Sequence, residues 1–238
     1  MSKSKKISMS VVRRLPRYYR FLLELKNSGV YRVSSQVLAE KMGSSASQIR
    51  QDLNCFGGFG QQGYGYDVQK LFDELSCILG LDSQYSAILL GAGNLGRAIL
   101  NHVDFTSRGF RLTAVFDSKP EIIGTAINGM TVLDVNTVEA YCMSEKPQAA
   151  VLCLPKESAE QEVDILYRCG VRSFWNFSHY DISMKYGDVI CENVHLNDSL
   201  MTLCYCMTAD NDDSQMLLHS EATPCKPPKS TSKKKNKA

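Results

Sequence analysis

The chain has 238 residues, 44% of them hydrophobic, enough to bury one large core or two small ones. Nine cysteines without a C-x-x-C pair, and four histidines without metal spacing, argue for reduced thiols in a cytoplasmic protein and against a disulfide scaffold or metal site. No run of about 18 apolar residues is present to cross a membrane, and the lysine-rich start lacks the apolar core of a signal peptide.

The formal net charge of +2 is unevenly spread. Residues 1–81 hold 12 Lys and Arg against 6 Asp and Glu, residues 82–221 hold 9 against 19, and the last 17 residues add six lysines. A basic first third on an acidic body points to a polyanionic partner.

Residues 8–27 repeat apolar side chains at a helical period, with Arg13, Arg14, Arg17 and Arg20 mainly on the other side. Pro16 either kinks this run or opens a second helix in its first turn. Ser34–Gly43 reads as a short helix with a serine start and a glycine stop. Ser44–Leu53 reads as the next, with Ser45 and Gln48 spaced as a capping box. Two short helices joined by a glycine-containing turn make a helix-turn-helix. Ile49 and Leu53 then face inward, leaving Ser47, Gln48, Arg50 and Gln51 outward. Those residue types bond base edges and phosphates. Phe56–Tyr66, glycine-rich with interleaved aromatics, reads as a tight hairpin. It would be the wing of a winged helix, with Gln61 and Gln62 at its tip. Residues 68–79 read as a linking helix.

Tyr85–Leu90 reads as a buried strand that runs into Gly91-Ala-Gly-Asn-Leu-Gly96, a G-x-G-x-x-G turn before a helix over 95–103. Gly91 allows the turn, Gly93 lets a pyrophosphate approach the backbone, and Gly96 lets helix and strand pack closely. The free N–H groups of the helix start suit phosphates. The next apolar run ends in Asp117, placed to accept a hydrogen bond from a ribose 2′-OH and so to favour NAD(H) over NADP(H). Strands near 130–134, 149–155, 172–178 and 188–194 alternate with helices over 137–145 and 158–169. This rhythm predicts an α/β fold, a Rossmann-like doubly wound parallel sheet behind the winged helix-turn-helix. Ligands in such sheets lie at the carboxyl ends of the strands, which places Asp117, Pro155, Asn176 and Phe177 around the cleft. Residues 195–207 read as one more amphipathic helix, and 209–238 as a disordered Lys-rich tail. The predicted division is 1–81, 82–194, 195–208 and 209–238.

The chain resembles the Rex family of redox-sensing transcriptional repressors. The matching runs are Arg14-Leu-Pro-Arg-Tyr-Tyr-Arg20, Ile49-Arg-Gln-Asp-Leu53, Phe56-Gly-Gly-Phe-Gly60, Gly63-Tyr-Gly-Tyr66, Gly91-Ala-Gly-Asn-Leu-Gly-Arg-Ala98, Phe116-Asp117, Trp175-Asn-Phe177 and Glu192-Asn-Val194. The resemblance implies a homodimer, not an enzyme, that binds a palindromic AT-rich operator in double-stranded DNA and is released by NADH. It implies NADH and NAD+ competing for one cleft lined by Gly91, Ala92, Gly93, Asn94, Leu95, Gly96, Asp117, Ser118, Pro155, Asn176 and Phe177. It implies DNA contacts from Arg14, Ser44, Ser45, Ser47, Gln48, Arg50, Gln51, Gln61 and Gln62, and a C-terminal helix exchanged between subunits. It also implies a switch network at Arg20, in which this chain has His102 and His195 where other members have Tyr and Asp. The competing reading is an NAD-dependent oxidoreductase with an N-terminal extension. Its nearest acid–base pair, Tyr180 and Lys185, is five residues apart rather than the four that share a helix face.

Overall fold

The computed structural model describes residues 7–57, 60–61 and 64–210. The chain divides into two compact units, the second spanning Asp73–Tyr205 and the first taking the described residues on either side of it.

In the first unit, Pro16 opens a helix rather than kinking one. A short α1 (Met9–Val12) ends before α2 (Leu15–Asn27), which carries the proline in its first turn. Ser34 caps α3 (Ser35–Met42) by accepting from the Val37 N–H, and Gly43 closes it in the left-handed conformation. Ser45 caps α4 (Ala46–Asn54) by accepting from the Gln48 N–H at 3.1 Å. The capping box is half formed, because the Gln48 side chain donates to Asp52 instead. Leu15, Tyr18 and Leu22 of α2 are buried with Leu38 and Met42 of α3 and Ile49 and Leu53 of α4. A three-stranded antiparallel sheet completes the unit, with β3 (Gly65–Asp67) between β1 (Arg32–Val33) and β2 (Gly60–Gln61). The sequence gives no strand signal at β1. Gly65 is required at its position: φ is +70°, and a Cβ there would lie 2.6 Å from the Val33 carbonyl oxygen. The winged helix-turn-helix is therefore present, and α5 (Val68–Ile78) follows it.

The second unit is a seven-stranded sheet. Its strands are β4 (Tyr85–Leu90), β5 (Phe110–Asp117), β6 (Ala126–Ile127), β7 (Met130–Asp134), β8 (Ala149–Leu152), β9 (Ser173–Asn176) and β10 (Ile190–Asn193), in the order β10-β9-β8-β4-β5-β7-β6. All neighbours are parallel except β6 and β7. The purely parallel expectation is thus corrected at one edge. Asn128 and Gly129, at φ 48° and 78°, make the two-residue turn that a hairpin needs. One face packs Ile88, Leu90, Phe116, Ala150 and Leu152 against α7 (Val138–Glu145) and α8 (Lys156–Arg168) through Val138, Cys142, Val163 and Leu166. The other packs Leu89, Val115 and Val132 against Ile99 and Leu100 of α6 (Asn94–His102). A one-turn helix, α9 (Ile182–Lys185), precedes β10. The last helix, α10 (Leu196–Asp210), extends three residues past the predicted end at 207. The rest of the predicted tail lies outside the described residues.

Candidate functional site

The chain leaves β4, crosses to β5 and β7 on one side, and returns to β8 on the other. The β4–β8 junction is therefore the point where strand order reverses, and sheets of this class hold a ligand beyond the carboxyl ends at such a point. Gly91 begins the turn after β4 with φ +94°, and an added Cβ would collide with the carbonyl of Cys153, just past β8. Gly96 lies against the Gly91 carbonyl, where a Cβ would overlap backbone. Gly93 differs: nothing lies within 4 Å of its would-be Cβ. The fold needs the first and third glycines. The second is needed only if something outside the chain approaches. Gly93 is also the N-cap of α6 and offers no side-chain cap. The first-turn N–H groups, Asn94 and Leu95 among them, are left to an anion.

Asp117 is 6% exposed, and both its oxygens are engaged. Oδ2 accepts from the Ala92 N–H at 2.7 Å and Oδ1 from the Lys119 N–H at 2.9 Å. It therefore braces the glycine turn from the neighbouring strand, a role the sequence did not disclose. Each oxygen keeps a second lone pair for a ribose hydroxyl. Ser118 beside it is exposed, and Pro155 is the N-cap of α8. Asn176, expected around the cleft, has its side chain committed within the chain. Asn176 is fully buried, donates to the Tyr180 carbonyl and to Asn193 Oδ1, and accepts from the Ser178 N–H and hydroxyl. It shapes the turn after β9 and has nothing left for a ligand. Phe177 is half-buried and packs edge-on to Trp175, centroids 4.7 Å apart. Burial pushes the Cys153 thiol up to about 12, as it does Cys142, so neither is a thiolate at neutral pH.

On the first unit, Ser44, Ser45, Ser47, Arg50 and Gln51 are exposed along the start and outer face of α4. Arg50 Nη1 donates to Ser35 Oγ at 2.9 Å, which holds the guanidinium over the start of α3. Arg14, expected at the DNA, is engaged within the unit. Its Nε and Nη2 grip the two oxygens of buried Asp52, each at 2.7 Å, and Tyr18 donates to the same carboxylate at 2.6 Å. The wing-tip pair is not placed: Gln61 is described only as backbone in β2, and Gln62 lies outside the described residues. The sequence missed Arg32. It is exposed on β1, lies over the Tyr64 ring at 5.8 Å and donates to the Tyr64 carbonyl, so a cation stands beside the wing.

His102 and His195 are not brought together within one chain. His102 ends α6 and lines a depression of about 430 Å³ with Asp104, Arg111 and Met130, at the amino ends of β5 and β7. His195 follows β10 at its carboxyl end and stacks on His179, centroids 5.5 Å apart and 6° from parallel. Arg20 is exposed on α2. The oxidoreductase pair, Tyr180 and Lys185, lies close enough to interact, but both groups are otherwise committed. Lys185 is held by both oxygens of Asp164 at 2.8 Å, and Tyr180 is buried in the cluster beneath α7 and α8. No group of three metal-ligating side chains is found among the described residues, and no helix among them is long and apolar enough to cross a membrane.

A winged helix with a polar reading helix, joined to a sheet with a glycine turn and an uncapped helix start, defines a DNA-binding regulator that carries a dinucleotide fold. Residues 6–54 match the family model "Putative DNA-binding protein N-terminus", and residues 82–180 match the "CoA binding domain" model. The "Redox-sensing transcriptional repressor Rex" of Thermoanaerobacter pseudethanolicus is 52% identical over 205 residues, 86% of this chain and 91% of that protein. The repressor of the same name from Clostridium botulinum (strain Eklund 17B / Type B) is 48% identical, with 86% and 97% covered. The crystal structure of RSP in complex with β-NAD+ and operator DNA is 50% identical, with TM-score 0.80, covering 87% of this chain and 95% of that one. RSP in complex with β-NADH is 46% identical, with TM-score 0.80 and 88% and 98% covered. The chain belongs to the Rex family of redox-sensing transcriptional repressors.

Proposed function

We propose that this protein is a cytoplasmic homodimeric repressor that binds a palindromic AT-rich operator through α4 and the wing, and is released when NADH enters the crevice at the β4–β8 junction. The observation that carries this reading is Gly93, a glycine that the fold itself does not need, at an uncapped helix start. The two RSP structures, one with β-NAD+ and operator DNA and one with β-NADH, support the pairing of NAD+ with operator DNA and NADH as a second ligand. Dimerisation is supported by α10. Leu196, Leu200, Leu203 and Met207 recur at 4-3-4 spacing and are 64%, 64%, 54% and 63% exposed, an apolar seam that one chain leaves uncovered. Exchange of α10 between subunits would cover it. It would also let His195 of one subunit approach groups on the other, as Arg20 and His102 require for a shared switch. NADH acts only through its differential affinity for the DNA-competent and DNA-incompetent forms.

The test is fluorescence anisotropy of a palindromic AT-rich duplex against a scrambled duplex at one salt concentration. NADH should release the protein and NAD+ should not. Specific binding that ignores NADH would overturn the sensing part, and no sequence preference would overturn the repressor reading.

Two substitutions refine it. Arg50→Ala should weaken operator binding by about tenfold to a hundredfold and leave NADH affinity unchanged. Operator affinity equal to wild type would remove Arg50 from the reading surface. Asp117→Ala should weaken NADH binding and narrow the preference for NADH over NADPH. Equal losses for both nucleotides would mean that Asp117 only braces the Ala92 turn.

A further inference from the structure

Asp52 is fully buried on α4, yet it lies four residues from Gln48, on the part of the helix proposed to face DNA. Its carboxylate receives four hydrogen bonds: from Arg14 Nε and the Tyr18 hydroxyl on Oδ2, and from Arg14 Nη2 and Gln48 Nε2 on Oδ1. A carboxylate has about four acceptor sites, so all of them are filled. Arg14 keeps the group ionised and therefore acceptor-only.

The Gln48 amide donates to it at 2.7 Å. Turning that amide over would set Oε1 against a carboxylate oxygen with no proton between them. The amide therefore cannot invert, which an exposed glutamine does freely. Gln48 is half-buried, sits in the first turn of α4, and its Oε1 takes no hydrogen bond from the described residues. First-turn residues of a recognition helix are those that meet base edges. An amide of fixed polarity presents one acceptor and one remaining donor in a single order. That order is what adenine N6–H and N7 require, and it distinguishes A·T from T·A.

We propose that Asp52 is a specificity-determining positioning residue, which fixes the Gln48 amide so that Gln48 reads one adenine in each half-site. This rests on the DNA-reading role proposed above for α4.

The experiment begins with an operator selected from a randomised palindrome by the full-length protein. Affinities are then measured for duplexes in which each half-site A·T is exchanged for T·A or for 7-deazaadenine·T. One position should lose about tenfold or more on either exchange. In Gln48→Ala that loss should disappear while preferences at the other positions remain. In Asp52→Asn it should shrink, because an asparagine amide can accept or donate and tolerates both orders. The Arg14→Met/Asp52→Asn double variant buries no unpaired charge and serves if the single variant does not fold.

Preferences in Gln48→Ala identical to wild type at every position would overturn the proposal, and this variant leaves the Arg14–Asp52 pair intact. A uniform loss across all duplexes in the Asp52 variants would also overturn it, since that is what a merely structural role produces. A wild-type chain that selects no sequence would instead overturn the DNA-reading assignment itself.

Discussion

Gly96→Ala should unfold the nucleotide-binding unit, whereas Gly93→Ala should leave it folded and impair NADH binding. The added methyl at 96 meets the Gly91 carbonyl, which is backbone in a turn pinned by the Gly91 N–H to the Phe116 carbonyl at 2.8 Å. No side chain can rotate away to make room. The cost therefore lies at or above the upper end of the usual overpacking range, about 3 kcal/mol. At position 93 the same methyl enters open space, and φ of −69° suits any residue. Removing a glycine restricts the unfolded chain, so stability should hold or rise by about 0.5 kcal/mol. The methyl then stands between the α6 N–H groups and any pyrophosphate, and NADH affinity should fall tenfold or more, at least about 1.4 kcal/mol. Thermal melts with and without NADH check both. Loss of fold in Gly93→Ala would mean that the fold itself needs this glycine, and NADH-induced stabilisation equal to wild type would remove the pyrophosphate from that loop.

The difference between these glycines shows what a sequence can carry. G-x-G-x-x-G followed by a strand ending in Asp117 marked the glycine turn, the helix start and the acid beside it, because all three are local signals read in chain order. The doubly wound class of the sheet was legible for the same reason: strands and helices alternate along the chain. The role of each group within the site was less legible. Asp117 braces Ala92, Asn176 closes the 176–180 turn, and Arg14 is taken by Asp52. Each depends on a partner 25 or more residues away or on complete burial, and neither property has a period in the sequence. The antiparallel β6 could have been found, since Asn128-Gly129 is a hairpin signal. Arg32 could not, because β1 is two residues long and is held by its pairing with β3.

Arg14→Ala should cost the winged helix more than Asp52→Ala, and the gap should narrow in acid. Without Arg14, a fully buried carboxylate keeps only the Tyr18 hydroxyl and the Gln48 amide, and it has no counter-charge. Leaving a buried charge unpaired costs about 3–5 kcal/mol. Without Asp52, the Arg14 side chain is already 26% exposed and can turn to water. The main loss is then the Tyr18 hydroxyl, buried without its acceptor, at about 1–3 kcal/mol. Burial alone raises the Asp52 pKa and is the largest single influence. The hydrogen bonds from Arg14, Tyr18 and Gln48, with the Arg14 charge, outweigh it, so the net shift in the wild type is downward. The wild type therefore has the full stabilisation above the ordinary carboxylate value of about 4. It loses that stabilisation as pH falls through the lowered folded value. In Arg14→Ala burial should prevail and raise the Asp52 pKa, so that variant should recover stability as pH falls through the raised value. Hydrogen exchange of the Ile49 and Leu53 amides at pH 7 and pH 5 reads the opening free energy of α4 directly. Equal costs for the two variants, or a gap that is the same at both pH values, would mean that the Asp52 charge is not what holds α2 to the reading helix.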